Sequence, residues 1–436
     1  MPANQNPGGE KHINVLHTLF KTIGITLLSI FIGFILLCAV YLLPTEKMAA
    51  HVQESGEMLI REGNYLVWSH AVTMSDGFTD CIILNHAIYD NSRTSLLRRV
   101  LLNPETFPAD SEKYAGKSRI ERALGSFEEG VQTVDENYGR YWHGYLTLIK
   151  PLLLISDVAG IRVLNMLVQA FLLILCSGQI SKRLGYAHCL ILFAFVLFMP
   201  PVTAALSFQF SSIYLITLIS VLLLFHFESS LLRFSNAYTF FLIIGVCTAY
   251  FDLLTSPVVA LGVPLAFWVL LSGTPGLTQV LGLSAGWGIG YAGMWSGKWV
   301  LANLLTSENV LADAQGAARL RIGNHDGAYQ RYEGFRRVLV CLDRNPIAVL
   351  FIILLVLLLL SVLVKRRHLT SPKRLLALAI ICLYPFAWDA VFLQHTAFHW
   401  WMTWRNMAVF SCALTALLLS CFGSRSPLSP AHDNTP

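Results

Sequence analysis

Ten strongly apolar segments divide this chain, and the charges between them separate by sign: cations gather in alternate connections while acids collect in one long insertion. The segments fall at 22–43, 161–180, 187–200, 205–227, 237–251, 257–272, 280–304, 347–364, 374–392 and 404–422. At 1.5 Å rise per residue, about 20 residues of helix cross the ~30 Å hydrocarbon core of a bilayer. Hydrocarbon gives an open backbone no hydrogen-bond partner, so a spanning segment satisfies its own amides as an α-helix. The sequence therefore predicts an all-α polytopic membrane protein with about ten transmembrane helices and a large first extracytoplasmic loop. Composition agrees, since only 13% of residues are charged where a soluble domain carries roughly 25%. Mean hydropathy is +0.58.

The charge pattern orients the chain. With residue 1 cytoplasmic, the inner connections carry Lys11, Lys21, Lys182, Arg183, Arg233, Lys365, Arg366, Arg367, Lys373, Arg374 and Arg425, opposed only by Glu10, Glu228 and Asp433. The insertion at 44–144 holds ten Lys/Arg and a larger number of Asp/Glu. This is the positive-inside asymmetry. It predicts a cytoplasmic tail at 1–21, an uncleaved signal-anchor at 22–43, an extracytoplasmic loop domain at 44–144, a multi-span domain at 145–422 with a second outer loop at 305–346, and a cytoplasmic tail at 423–436. The expected location is a plasma membrane of bacterial type. The formal charge of +5 belongs to these membrane edges, so no nucleic-acid partner is expected. Residues 145–155 are too short to span and are expected to lie in the interface or re-enter as a half-helix broken at Pro151. Most of the nine cysteines sit in or beside apolar segments without CxxC or Cys/His spacing, which argues against a disulfide framework or a structural zinc.

Five groups of polar residues converge on the outer face. In His70–Asp80 the two acids Asp76 and Asp80 stand four apart and share a helix face. Such a carboxylate can take a proton from a hydroxyl, and such a pair can hold a divalent cation; the plainer alternative is a turn at Ser75-Asp76-Gly77 followed by Thr79 or Asp80 as the cap of a helix over Cys81–Ala87. Asp80 opens the more apolar stretch, where burial raises a carboxyl pKa, and is the stronger candidate. The run from Asp135 to Tyr145 packs Arg140, Trp142 and His143 among three tyrosines, either as an interfacial aromatic belt or as a surface stacking on sugar while Arg140 meets phosphate. Asp252 is the only charge between Asn236 and Gln279, and is a functional acid or a cap between two helices. The 305–346 loop carries Arg319, Arg321 and His325 among further cations on a face that the positive-inside rule leaves poor in them. They form a solvated surface or a site for an anionic lipid phosphate. Finally, His395 and His399 stand four apart ahead of Arg405. The glutamate of a zinc-protease motif is missing, which leaves an aromatic anchor or, at Arg405, phosphate coordination.

This layout of one span, a large outer loop with an Asp pair, and nine further spans returning polar residues outward resembles the GT-C superfamily of integral membrane glycosyltransferases. The resemblance implies transfer of a sugar from a polyprenyl-phosphate donor to a glycan, lipid or protein acceptor on the extracytoplasmic face, in contact with membrane lipids. Asp80 or Asp76 matches the family's acidic position, as base or as ligand to Mg or Mn, and Arg140, Arg321 or Arg405 would receive the departing phosphate. The adjacent acidic pair of some branches is missing at Asp76 and Asp80. Two other classes compete: a lipid or glycan transporter, for which Lys150, Arg162, Lys298 and Asp389 are the candidate intramembrane charges, and a non-catalytic membrane scaffold.

Overall fold

The computed structural model describes residues 15–69, 73–110, 112–322, 333, 336–337, 346–365 and 371–421. Helix α1 (Val15–Tyr41) leads into a loop domain of α2 (Glu46–Glu54), α3 (Gly56–Glu62), α4 (Gly77–Ile88), α5 (Leu96–Leu102) and α6 (Arg119–Gly125). The bundle continues through α7 (Leu146–Leu153), α8 (Val158–Leu184), α9 (Cys189–Phe198), α10 (Pro201–Leu206), α11 (Phe208–His226), α12 (Glu228–Leu231), α13 (Phe234–Phe251), α14 (Val258–Ser272), α15 (Leu277–Leu305) and α16 (Val310–Ile322). It closes with α17 (Pro346–Lys365), α18 (Pro372–Cys382), α19 (Tyr384–Val391), α20 (Leu393–Phe398), α21 (Trp400–Thr403) and α22 (Met407–Ser420).

The fold is helical, and the apolar segments read from the sequence all lie in helices. Six stretches among the described residues are long and apolar enough to cross a membrane: Leu16–Tyr41, Val158–Leu184, Phe208–His226, Phe234–Phe251, Pro372–Val391 and Trp400–Ser420. Tyr186–Phe198, Val258–Ser272 and Val349–Ser361 are apolar but shorter. The perimeter is apolar, with Leu27, Phe31, Leu167, Ile174 and Leu357 exposed. That arrangement suits a lipid surround and would be a liability in water. At the centre α14 is buried along Val258–Leu270.

Two departures from the sequence reading concern local structure. The loop domain includes a short antiparallel ribbon, β1 (Pro104–Pro108) paired with β2 (Thr133–Asn137), with Glu105 opposite Glu136. The 145–155 segment does form a short helix, but α7 runs through Pro151 to Leu153 rather than breaking there. A proline so close to a helix end costs only one backbone bond.

Helix packing depends on glycine. A Cβ on Gly245 of α13 would sit 2.0 Å from the Trp287 carbonyl oxygen, and one on Gly290 of α15 would sit 2.1 Å from that of Leu242. Gly286 lies against Tyr238, while Gly293 and Gly297 admit Thr26 and Ile30 of α1. Lipid tails are as apolar as leucine, so helices in a bilayer associate through close shape fit, and small residues four apart allow backbones to approach. Helix α15 thus presents one glycine row to α13 and a second to α1.

Buried polar bonds tie the loop domain to the bundle. Lys298 of α15 donates to the Val100 carbonyl at 2.7 Å and to Asn103 Oδ1 at 2.8 Å. Lys150 of α7 donates to the Ala87 carbonyl at 2.6 Å. The Trp142 indole donates to the Met294 carbonyl at 2.6 Å. Gly144 donates its N–H to the Tyr250 carbonyl at 2.8 Å, where any Cβ would collide with the Tyr250 ring. Lys150 and Lys298 are each wholly buried, and both are engaged in holding the domain in place.

Candidate functional site

The site begins at the first turn of α4. Asp76 caps that helix: its Oδ1 accepts the Thr79 N–H at 3.0 Å and its Oδ2 accepts the Thr79 hydroxyl at 2.7 Å. Gly77 follows because a Cβ there would meet the Gly63 carbonyl oxygen at 2.3 Å. One turn later Asp80 points into the bundle and is 2% exposed. Its Oδ1 accepts the Ser207 hydroxyl and the Gln209 N–H, each at 3.3 Å. Its Oδ2 has no hydrogen-bond partner and lies 4.0 Å from Arg162 Nη2.

Arg162 is held by Glu62 at 2.8 Å. Arg405 approaches from the other side, donating to the Met74 carbonyl at 3.3 Å with its guanidinium 3.9 Å from the Phe210 ring centroid. Burial pushes the Asp80 carboxyl up to about 7; Arg162 opposes the rise and Asp76 adds to it. Burial likewise raises Asp76 to about 6 against the bonds from Thr79 and the charge of Arg405. A carboxyl poised near neutrality can both accept and return a proton at physiological pH. Of the two sequence candidates, Asp76 has both oxygens committed to its cap, while Asp80 keeps one free.

Beside this cluster lies an apolar groove of about 310 Å³ between α7, α8 and α11, lined by Ile149, Ile161, Leu164, Val168, Phe208 and Ile216 among others. Leu164 and Val168 are exposed at its outer edge. Two of its wall residues are chain neighbours of groups around the carboxylate: Phe208 precedes the Gln209 amide that binds Asp80, and Ile161 precedes Arg162. Asn165 is the main polar group within, bonded to the Ala205 carbonyl at 2.9 Å and to Ser211 Oγ at 2.6 Å. Sequence reasoning left out Ser207, Gln209 and Glu62. The one available signal was polar Ser and Gln inside the apolar 205–227 segment.

A second polar cluster forms around the α13–α14 connection. Asp252 is buried, and its carboxylate accepts the Thr255 N–H at 3.0 Å and also the Thr255 hydroxyl. Burial raises it to about 7, against those bonds. Leu254 takes a positive φ of 67°, and its carbonyl meets His395 Nε2 at 2.9 Å. His395 and His399 lie 4.8 Å apart between ring centroids, their planes tilted by 54°. Burial, helped by the charge of Arg321, pushes His399 down to about 4, and His395 falls well below its ordinary value for the same first reason. Both imidazoles are therefore neutral at physiological pH. Trp401 joins the two clusters, packing on His399 at 6.4 Å and on Tyr65 at 5.1 Å, which in turn stacks on Phe78 of α4.

The remaining sequence candidates divide by environment. Arg140 and Arg321 line a common recess with Trp295 and Trp299, away from Arg405, which keeps company with the Asp pair. Trp142 and His143 are core residues at 0% and 1% exposure, so neither offers a face for a sugar to stack on. His143 takes a φ of 56° and bonds the Tyr138 carbonyl at 2.9 Å. Arg319 is exposed on α16, and His325 lies outside the described residues. Asp389 accepts from Thr396 and Asn406, both at 3.3 Å.

A divalent cation fits this site poorly. Among the described residues no three His, Cys, Asp or Glu side chains converge as ligands, and Asp76 has no oxygen to spare beside Asp80. Compared with known protein families, characterised proteins and solved structures, the chain matches none.

Proposed function

We propose that this protein is an integral membrane glycosyltransferase that uses a polyprenyl-phosphate sugar donor on the extracytoplasmic face. The observation that carries the reading is the half-satisfied Asp80 carboxylate near an apolar groove whose edge is exposed among the bundle's membrane-facing residues. A long isoprenoid tail suits the groove, and its phosphate would then meet Arg162 and Arg405 beside the acid. Asp80 takes the proton of the acceptor hydroxyl as that oxygen forms its bond to the anomeric carbon. The bond from that carbon to the phosphate oxygen breaks, and the electron pair leaves on the polyprenyl phosphate. A single displacement of this kind inverts the anomeric centre. Cations already in place stabilise the developing charge without reorganising at the moment of reaction.

The transporter reading is less well supported. Lys150 and Lys298 hold the loop domain on the bundle and Arg162 is paired to Glu62, whereas a translocation pathway needs charges lining a route through the membrane.

Ten crossings with both termini cytoplasmic follow from the charge asymmetry. Hydrogen bonds between helix ends support alternation: Gly144 to Tyr250 and His395 to Leu254 on the loop-domain side, Arg183 to Glu228 and Arg374 to Gly273 on the other. A single cysteine placed at exposed Lys117 in a cysteine-free background should react with an impermeant thiol reagent on intact cells. One at Lys373 should react only after permeabilisation. Reversed labelling would overturn the orientation.

The donor is tested with a polyprenyl phosphate carrying a photoreactive group on its tail. Crosslinks should fall on the peptides of α8 and α11, and the double substitution Leu164→Trp with Ile216→Trp, which fills the groove, should remove them. Crosslinks that persist in that variant would detach the tail from this groove and leave the proposal without its donor site.

A further inference from the structure

The α15–α16 side of the molecule holds a second recess, separate from the Asp80 cluster. It occupies about 40 Å³ and is lined by Arg140, Tyr141, Trp295, Trp299 and Arg321, with Leu254 at its base. A water needs roughly 10–15 Å³ measured this way, so the space suits one small polar group and excludes a sugar ring or a hydrocarbon chain.

Its polar atoms are what single it out. Arg140 Nε, Arg321 Nε and Trp295 Nε1 are each buried and have no hydrogen-bond partner. Buried donors are nearly always paired, and each one left unpaired calls for an explanation. All three are N–H donors, they come from three different elements, and they border one cavity. Single unpaired donors occur elsewhere, at Trp287, Trp404, Arg99, Arg119 and Arg162; here three residues carrying them line one cavity, while the neighbouring Trp299 uses its N–H on the Arg140 carbonyl at 2.9 Å. The protein's own countercharge is slight: Asp313 meets Arg140 at 3.3 Å across a half-exposed contact, and such pairs contribute little. Tyr138 holds the Arg140 guanidinium from one side, 4.3 Å from its ring centroid. Asp252, which acts on Tyr141 of the recess, has its oxygens turned to Thr255.

We infer that this recess binds a phosphate group, with Arg140 and Arg321 as its cations and the Trp295 indole as a third donor. A tetrahedral oxyanion presents acceptors in several directions at once, which is what donors converging from α15, α16 and the end of the loop domain require. The group is either the headgroup of an anionic lipid or the phosphate of a soluble molecule. The site is distinct from the one around Asp80 and does not depend on the transfer reaction.

The test uses the full-length protein in phosphatidylcholine nanodiscs, titrated with inorganic phosphate, with water-soluble dihexanoyl phosphatidate, and with dihexanoyl phosphatidylcholine as a zwitterionic control. Saturable binding of one or both phosphates is expected, with no binding of the control. Arg321→Gln and Arg140→Gln should each weaken it by about tenfold or more, since each removes a charged donor. Trp295→Phe, which keeps the ring and removes only the N–H, should weaken it severalfold at an unchanged melting temperature. It remains informative if an arginine variant fails to fold. Binding of inorganic phosphate identifies a soluble phosphorylated ligand, and binding of phosphatidate alone identifies a lipid headgroup. Arg183→Gln, on the opposite membrane edge and in neither site, should bind as the parent does, and the transferase reading is tested separately by its tail crosslinks, so the two can fail independently. Absence of binding in the parent, or binding that survives the substitutions at Arg140, Arg321 and Trp295 while Arg162→Gln abolishes it, would overturn the inference.

Discussion

Asp80→Asn is expected to abolish sugar transfer while the protein still inserts, accumulates and melts near the parent temperature. Asparagine keeps the shape of the side chain and an oxygen to accept from Ser207 and the Gln209 N–H, but it cannot take a proton. Loss of a general base reduces rate by about 10²–10⁴-fold. The neighbouring substitution gives the contrast: Asp76→Asn retains an acceptor for the Thr79 amide and should cost about 1 kcal/mol or less through its cap, leaving most activity. The parent's own pH profile carries the sign of the argument. A base works when ionised, and burial raises the Asp80 carboxyl to about 7, so the rate should climb as pH rises through that value and then level. Membranes assayed with a panel of labelled polyprenyl-phosphate sugars give both measurements. Full activity in Asp80→Asn would remove this residue from the chemistry and leave Asp252, another buried acid on this face, as the next base to test.

Gly245→Leu and Gly290→Leu should each prevent the bundle from assembling. The added Cβ meets a backbone carbonyl oxygen at 2.0 Å and 2.1 Å respectively. Overpacking a core against movable side chains costs about 1–3 kcal/mol; here the obstacle is main chain, so α13 and α15 must separate. That separation reaches both clusters, since α13 ends at Asp252 and α15 carries Trp295 and Lys298. Gly288→Leu is the matched control, because nothing lies within 4 Å of a Cβ at that position. Fluorescence-detected size-exclusion chromatography should show the first two variants aggregated or missing and the control monodisperse. A monodisperse Gly290→Leu would mean that the close approach of these helices is not what holds them.

Much of the architecture was legible in the chain itself. The apolar segments became helices, whereas the cap expected at Thr79 or Asp80 fell instead on Asp76, because α4 begins at Gly77. Asp252 stands at the end of α13, the capping place that one of its two readings gave it, with its carboxylate turned to Thr255. Other residues changed meaning on folding. Trp142 and His143 looked like an interfacial surface and are core, because Gly144 draws their segment against Tyr250 and the Trp142 indole is bound by α15. Arg140, Arg321 and Arg405 looked like one phosphate clamp; the first two line a recess together, while Arg405 stands with the Asp pair.

The division has a physical cause. Transfer into hydrocarbon and the sign of flanking charge act on each segment nearly independently of its neighbours, so the sequence by itself determined that the chain is helical, apolar at its perimeter and asymmetric in charge. Which helix lies against which is another matter, since association inside a bilayer rests on the fit of particular surfaces. Only the tertiary structure, through the glycine rows of α15 and the buried lysines that dock the loop domain, decided that Asp80 would meet Ser207, Gln209 and Arg162.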